Sequence, residues 1–85
     1  MGRMKGASVD TLGQRLREAR RRAVLTQAEL ALKAGVALIT VTRLENEEGE
    51  SNPRPETVRR LAKALDMDPA WLLFGEWVEI PKEAA

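Results

Sequence analysis

Residues 26–45 read TQAELALKAGVALITVTRLE, and the spacing of side chains in this stretch decides the fold. Thr26 and Glu29 stand three apart at the head of an apolar run, the pattern of a capping box. The Thr side chain there accepts from the backbone N–H of the third helical residue, and the Glu side chain reaches back to the cap N–H. A helix therefore begins after Thr26, with Leu30, Ala31 and Ala34 on its inner side. Gly35 ends it, where a positive φ is wanted. A second helix runs from about Ala37 to Asn46. At about 100° per residue, Val41, Leu44 and Ala37 gather on one side, while Ile39 lies roughly 160° and Arg43 roughly 200° from Val41. Ile39, Thr42, Arg43 and Asn46 thus face outward, with Leu38 on the border.

Reading outward from this pair, three more helices emerge. One spans Thr11 to Ala23, capped by Asp10, with Leu12, Leu16, Ala19 and Ala23 as its apolar stripe. Arg15, Arg17, Arg20, Arg21 and Arg22 occupy its other faces, and the last three also suit the negative end of the helix dipole. Val24 and Leu25 then turn the chain back into the core. Pro55 opens a fourth helix, with Val58, Leu61, Ala62 and Leu65 inward. Asp68-Pro69 opens a short fifth helix through Trp71, Leu72, Leu73 and Phe74, and Gly75 stops it. No segment reads as a strand. The expectation is a five-helix, all-α domain over residues 11–75, preceded by a basic arm (1–10) and followed by a tail (76–85). Trp77, Val78 and Ile80 alternate loosely in that tail, which suits packing on the domain or on a partner.

Composition narrows the functions open to such a domain. Its 85 residues include neither Cys nor His, which removes disulfides, zinc–thiolate sites, thiol chemistry and the usual general base. Catalysis would need paired carboxylates or a lysine in a cleft, but the acids cluster in the 47–50 loop and at helix starts. No Gly-rich phosphate loop and no metal-ligand spacing occurs, so neither an enzyme nor a cofactor is expected. No apolar run approaches the ~18 residues of a membrane span, and MGRMKGAS is no secretory signal, which makes the cytoplasm the expected location. Net charge is +1, unevenly spread: residues 1–46 hold nine Lys/Arg and four acids, and residues 47–85 carry −4. A basic half and an acidic half suit one face toward phosphate and another toward protein.

The sequence resembles the DNA-binding domain of lambdoid phage repressors and Cro proteins, within the broad xenobiotic-response-element-type helix-turn-helix family. The resemblance covers roughly residues 11–75. It is carried by Leu25-Thr26-Gln27-x-Glu29-Leu30-Ala31, Ala34-Gly35-Val36, Val41-Thr42-Arg43-Leu44-Glu45-Asn46, Asn52-Pro53-x-Pro55-Glu56-Thr57, Leu61-Ala62-x-Ala64-Leu65 and Trp71-Leu72-Leu73. It implies a transcriptional regulator, more often a repressor, whose second helix of the pair enters the major groove. Ala37, Leu38, Ile39, Thr42 and Arg43 fall at base-facing positions. Thr26, Gln27, Asn46 and Arg54 fall at phosphate-contacting ones, Gln27 also bracing the recognition helix. Arg20 and Glu45 match a buried ion pair between the first and third helices.

Three departures shape the expectation further. Ala37 stands where relatives often place a Ser or Thr cap, a loss of about 1 kcal/mol. Leu38 and Ile39 replace polar readers and can contact only thymine methyls, leaving Arg43 as the best hydrogen-bonding reader of guanine. Glu47, Glu48 and Glu50 stand where relatives often carry Lys or Arg. Either that loop bends away from DNA, or residues 47–51 or the tail engage a protein partner. A single unit reads few base pairs, so a homodimer on a palindromic operator is expected, with Trp71, Phe74, Trp77 and Val78 as candidate dimer contacts. The alternatives within the class are an antitoxin or a restriction–modification controller. Outside it stands a protein-interaction module with little or no base readout.

Overall fold

Side-chain caps open three of the five helices. In the computed structural model, which describes residues 11–46 and 53–75, five helices follow one another: α1 (Leu12–Arg22), α2 (Gln27–Ala34), α3 (Leu38–Asn46), α4 (Pro55–Ala64) and α5 (Pro69–Phe74). The arm, Asp10, the acidic residues 47–51 and the tail with Trp77, Val78 and Ile80 lie outside the described residues. The cap of α1 is Thr11 rather than Asp10. Its hydroxyl accepts from the Gln14 N–H at 3.1 Å, and the Gln14 side chain accepts from the Thr11 N–H at 3.2 Å. The box at Thr26 and Glu29 forms as expected, with bonds of 3.0 and 2.9 Å. Asp68 caps α5 by accepting from the Ala70 N–H at 2.9 Å, and prolines occupy the first positions of α4 and α5.

The inner stripes of these helices meet in one core. Leu16, Leu30, Val41, Val58, Leu61 and Leu72 are sealed from solvent, each stabilising the fold by about 1.5–3 kcal/mol relative to exposure. Ala31, Ala34, Leu44 and Ala64 fill the space between them, and Leu12, Leu25, Val36, Leu65 and Met67 pack around the edge. Helix α3 rests on α1 and α2, while α4 bridges α2 to α5, and α5 closes back on α1. None of these helices is long and apolar enough to cross a membrane.

Four expectations on side-chain placement fail. Ala23 is the exposed C-cap of α1 rather than the end of its stripe, because the helix stops one residue earlier. Ala37 also faces solvent, since α3 begins one residue after it. Arg15 is buried, contrary to its outward assignment: its Nε donates to Leu72 O at 2.9 Å and its Nη2 to Leu73 O at 2.8 Å. One guanidinium thereby ties the carbonyl end of α5 to α1, satisfying acceptors a helix end leaves unmet. Gly75 is required there twice over, by φ of +81° and because a Cβ would lie 2.8 Å from Arg15 Nη1.

Val24 is the fourth. It stays 84% exposed at φ of +58°. The Leu25 N–H bonds Arg20 O at 3.1 Å and the Val24 N–H bonds Arg21 O at 2.9 Å, closing α1 in a Schellman turn. That turn needs a left-handed residue, and a β-branched one costs about 1–2 kcal/mol there. With no packing to lose, Val24→Gly should stabilise the fold by about 1 kcal/mol and raise the melting temperature by about 4–8 °C. Thermal unfolding followed by circular dichroism measures this; an unchanged or lower midpoint would contradict the strain argument.

Candidate nucleic-acid interface

The third helix shows two contrasting sides. Val41, Leu44 and Glu45 are buried against α1 and α2, while Leu38, Ile39, Arg43 and Asn46 are exposed and Thr42 is half-buried. The outward residues recur at i, i+1, i+4, i+5 and i+8, one stripe along the helix. Leu38 and Ile39 are 47% and 55% exposed, a high value for large apolar side chains in so small a core-forming chain. The Thr42 hydroxyl donates to Ile39 O at 3.0 Å, so its proton is spent within the helix. Arg43 has no ion pair among the described residues.

Glu45 fixes the azimuth of this stripe. Its carboxylate is fully buried and takes four donors: Arg20 Nε at 2.6 Å on Oε2, then Arg20 Nη2 at 3.0 Å, Gln27 Nε2 at 3.0 Å and Arg17 Nε at 3.4 Å on Oε1. Arg20 Nη1 donates to Leu25 O at 2.8 Å, so the same guanidinium also holds the turn after α1. Burial pushes the Glu45 carboxyl up, but the bonds from Arg20 and Gln27, the charge of Arg20 and the bond from Arg17 together bring it below the usual carboxylate value. The bond to Glu45 likewise raises Arg20 above its usual value, against the opposing effect of burial. The cluster joins α1, the start of α2 and α3 in one network with every buried polar side-chain atom satisfied among the described residues.

The remaining anticipated positions distribute around this frame. Thr26 caps α2, and Gln27 opens it with its carboxamide on Glu45, the bracing contact anticipated for it. Arg54 is the exposed N-cap of α4 and makes no side-chain cap bond. Trp71 is half-buried on a groove of about 510 Å³ between the end of α1 and the α4–α5 turn, and Phe74 is 66% exposed. No α3 residue lines that groove. Sequence reasoning missed the part of Arg17 at Glu45, although Arg17 lies three residues before Arg20 on the same helical face. It also missed Arg15, whose one available signal was its position four residues before inward Ala19. Among the described residues no group of acidic side chains converges to hold a metal ion.

With two helices joined at a left-handed Gly35 (φ +74°) and an outward stripe on the second, the chain belongs to the helix-turn-helix family, whose pattern matches residues 16–72. It is similar to the helix-turn-helix transcriptional regulator DicA of Escherichia coli K12, 33% identical over 66 residues that make up 78% of this chain and 47% of the relative. The chain thus spans about half the length of that relative, and 37% of a second one from Bacillus subtilis. Among solved structures it resembles the P22 c2 repressor in complex with a synthetic operator, at 33% identity and a TM-score of 0.70 over 78% of this chain and 97% of the other. It also resembles the restriction–modification controller protein C.AhdI of Aeromonas hydrophila, at 35% identity and a TM-score of 0.67 over 73% and 91%. These named relatives are regulators rather than enzymes.

The buried network makes a stability prediction with a sign. Glu45 has a lowered folded-state value, so its stabilisation is fully present above the unfolded value of about 4.3 and is lost as pH falls through the folded one. Stability of the wild type should fall steeply below about pH 4, whereas Glu45→Gln should show a flatter acid limb from a lower plateau. Glu45→Ala, which strands Arg20, should cost about 3–5 kcal/mol at neutral pH. Urea unfolding across pH 3–7 reads both effects, and identical acid limbs for wild type and Glu45→Gln would refute them.

Proposed function

We propose that this chain is a sequence-specific double-stranded DNA-binding transcriptional regulator, acting as a repressor and as a homodimer on a palindromic operator in the cytoplasm. The observation that carries the reading is the outward stripe of Leu38, Ile39, Thr42, Arg43 and Asn46 on a helix whose other side is locked by Glu45. Such a helix keeps its own polar contacts inside and offers its outer face to a groove about 12 Å wide. The work is binding without chemistry. Phosphate contacts at Thr26, Gln27, Asn46 and Arg54 set the register, and base edges are read by the stripe. Ile39 and Leu38 favour thymine methyls, and Arg43 favours guanine. Kinship with a repressor solved on its operator supports the choice of partner.

A homodimer would place two copies of α3 about 34 Å apart on one side of the duplex, doubling the sequence read. Trp71, Phe74, Trp77 and Val78 are the proposed contacts, and exposed Phe74 supports an apolar joint near α5. A second reading, a protein-interaction module of the antitoxin or controller kind, draws on the exposed Leu38–Ile39 pair and on the acidic residues 47–51. Arg43, without an ion pair among the described residues, and the argininyl side of α1 favour DNA.

Selection of binding sites from a random duplex pool tests the proposal, because it reports both the bases read and the half-site spacing. The expected result is a palindrome with centres roughly 34 Å apart. Arg43→Ala should then relax preference at one base pair per half-site by about 1–3 kcal/mol, and Ile39→Ala should relax preference for a thymine. No enrichment of any sequence, with binding that is absent or indifferent to salt, would favour the interaction module.

A further inference from the structure

One polar group of the Glu45 cluster remains uncommitted. Arg20 is 13% exposed, and its Nε, Nη1 and Nη2 all donate, to Glu45 or to Leu25 O. Arg17 differs. Its side chain is 44% exposed, and its only hydrogen bond among the described residues is the long one from Nε, which leaves both terminal amines of the guanidinium unspent. Arg17 Nε and Gln27 Nε2 sit on the same oxygen, Glu45 Oε1, so the outer ends of the two side chains are neighbours.

The electrostatics of that spot are unbalanced. Two guanidiniums share one carboxylate, and they do so beside the N-terminus of α2, itself equivalent to roughly +0.5 charge. The N–H groups of Gln27 and Ala28, first and second in α2, have no acceptor within the helix. The acid of that turn, Glu29, is folded back onto the Thr26 N–H. Surplus positive charge and free donors therefore converge beside α3, with no further counter-charge paired to them among the described residues. An anion with several oxygens in different directions satisfies all of them, and a guanidinium edge grips such oxygens in pairs.

We propose that Arg17 and Gln27 form a two-pronged clamp on a single phosphodiester of the duplex, with Glu45 as the residue that positions both prongs. The clamp rests on the DNA-binding reading above and adds to it a phosphate contact from α1. Fixing one backbone phosphate against the α1–α2 junction sets how deep and at what angle α3 enters the groove.

The test is a double-mutant cycle on a random-sequence duplex, with wild type, Arg17→Gln, Gln27→Ala and the double variant titrated by fluorescence anisotropy at several salt concentrations. Arg17→Gln should weaken binding to every duplex about five- to tenfold at low salt and make the slope of log K against log salt less negative by about 0.9. The double variant should lose little more than the weaker single one, because both prongs hold the same phosphate. The melting temperature of Arg17→Gln should stay within about 3 °C of wild type, since the lost bond is long and the Glu45 carboxylate keeps its three other donors. An unchanged affinity and salt slope would overturn the clamp, and so would fully additive losses. If no protein of the four binds any duplex, the DNA reading fails on its own. The anion site is then judged by inorganic phosphate: a rise in melting temperature for wild type but not for Arg17→Gln supports it, and equal responses sink it.

Discussion

One buried carboxylate organises this molecule. Glu45 belongs to α3, yet its four donors come from α1 and α2, so three helices are registered on a single side chain. Transferring a carboxylate out of water is costly, and an apolar substitute of similar volume could stabilise the fold as well or better. What an apolar contact would not supply is direction. A guanidinium bound through Nε and Nη2 to both oxygens defines an angle as well as a distance, and the Gln27 carboxamide adds a second fixed line. Val41 and Leu44 supply the packing force on α3, and Glu45 selects which rotation of that helix the force acts on.

On the proposed DNA-binding reading, that rotation is the functional variable. A turn of one residue about the α3 axis is about 100°, enough to bury Ile39 and expose Val41. The Glu45 cluster makes such a slip unfavourable, since it would leave Arg20 buried and unpaired. A second arginine does comparable work at the other end of the domain. Arg15 holds the carbonyls of Leu72 and Leu73, which secures the six-residue α5, too short to persist alone, against α1. The chain thus uses the guanidiniums of Arg20 and Arg15 as its most deeply buried long-range fasteners among the described residues, in a core made of small aliphatic side chains.

Val24 shows the limit of this economy. It adopts a left-handed conformation that suits glycine, with 84% of its surface in water. The turn is nevertheless held, because Arg20 grips Leu25 O and the Leu25 N–H returns to Arg20 O. Backbone preference at one residue gives way to the bonds that its neighbours make across the turn.

The division between what residues announce and what packing decides follows from this. Periodicity and caps are local signals, and they were sufficient for five helices, for the left-handed Gly35 and for the outward stripe of Ile39, Arg43 and Asn46. The Arg20–Glu45 pair was legible through family resemblance, since nothing in spacing alone links positions 25 residues apart. The Asp10 cap failed because Thr11 offered an equally good cap one residue later, and sequence does not choose between adjacent cappers. Arg15 and Arg17 were read as surface because arginine usually is; whether its head finds buried carbonyls or a shared carboxylate depends on where a distant helix end comes to rest. The sequence by itself therefore determined the elements and which sides of them are apolar. Tertiary structure alone decided which charged groups became fasteners, because a buried charge is tolerable only where several partners from separate segments arrive at one point.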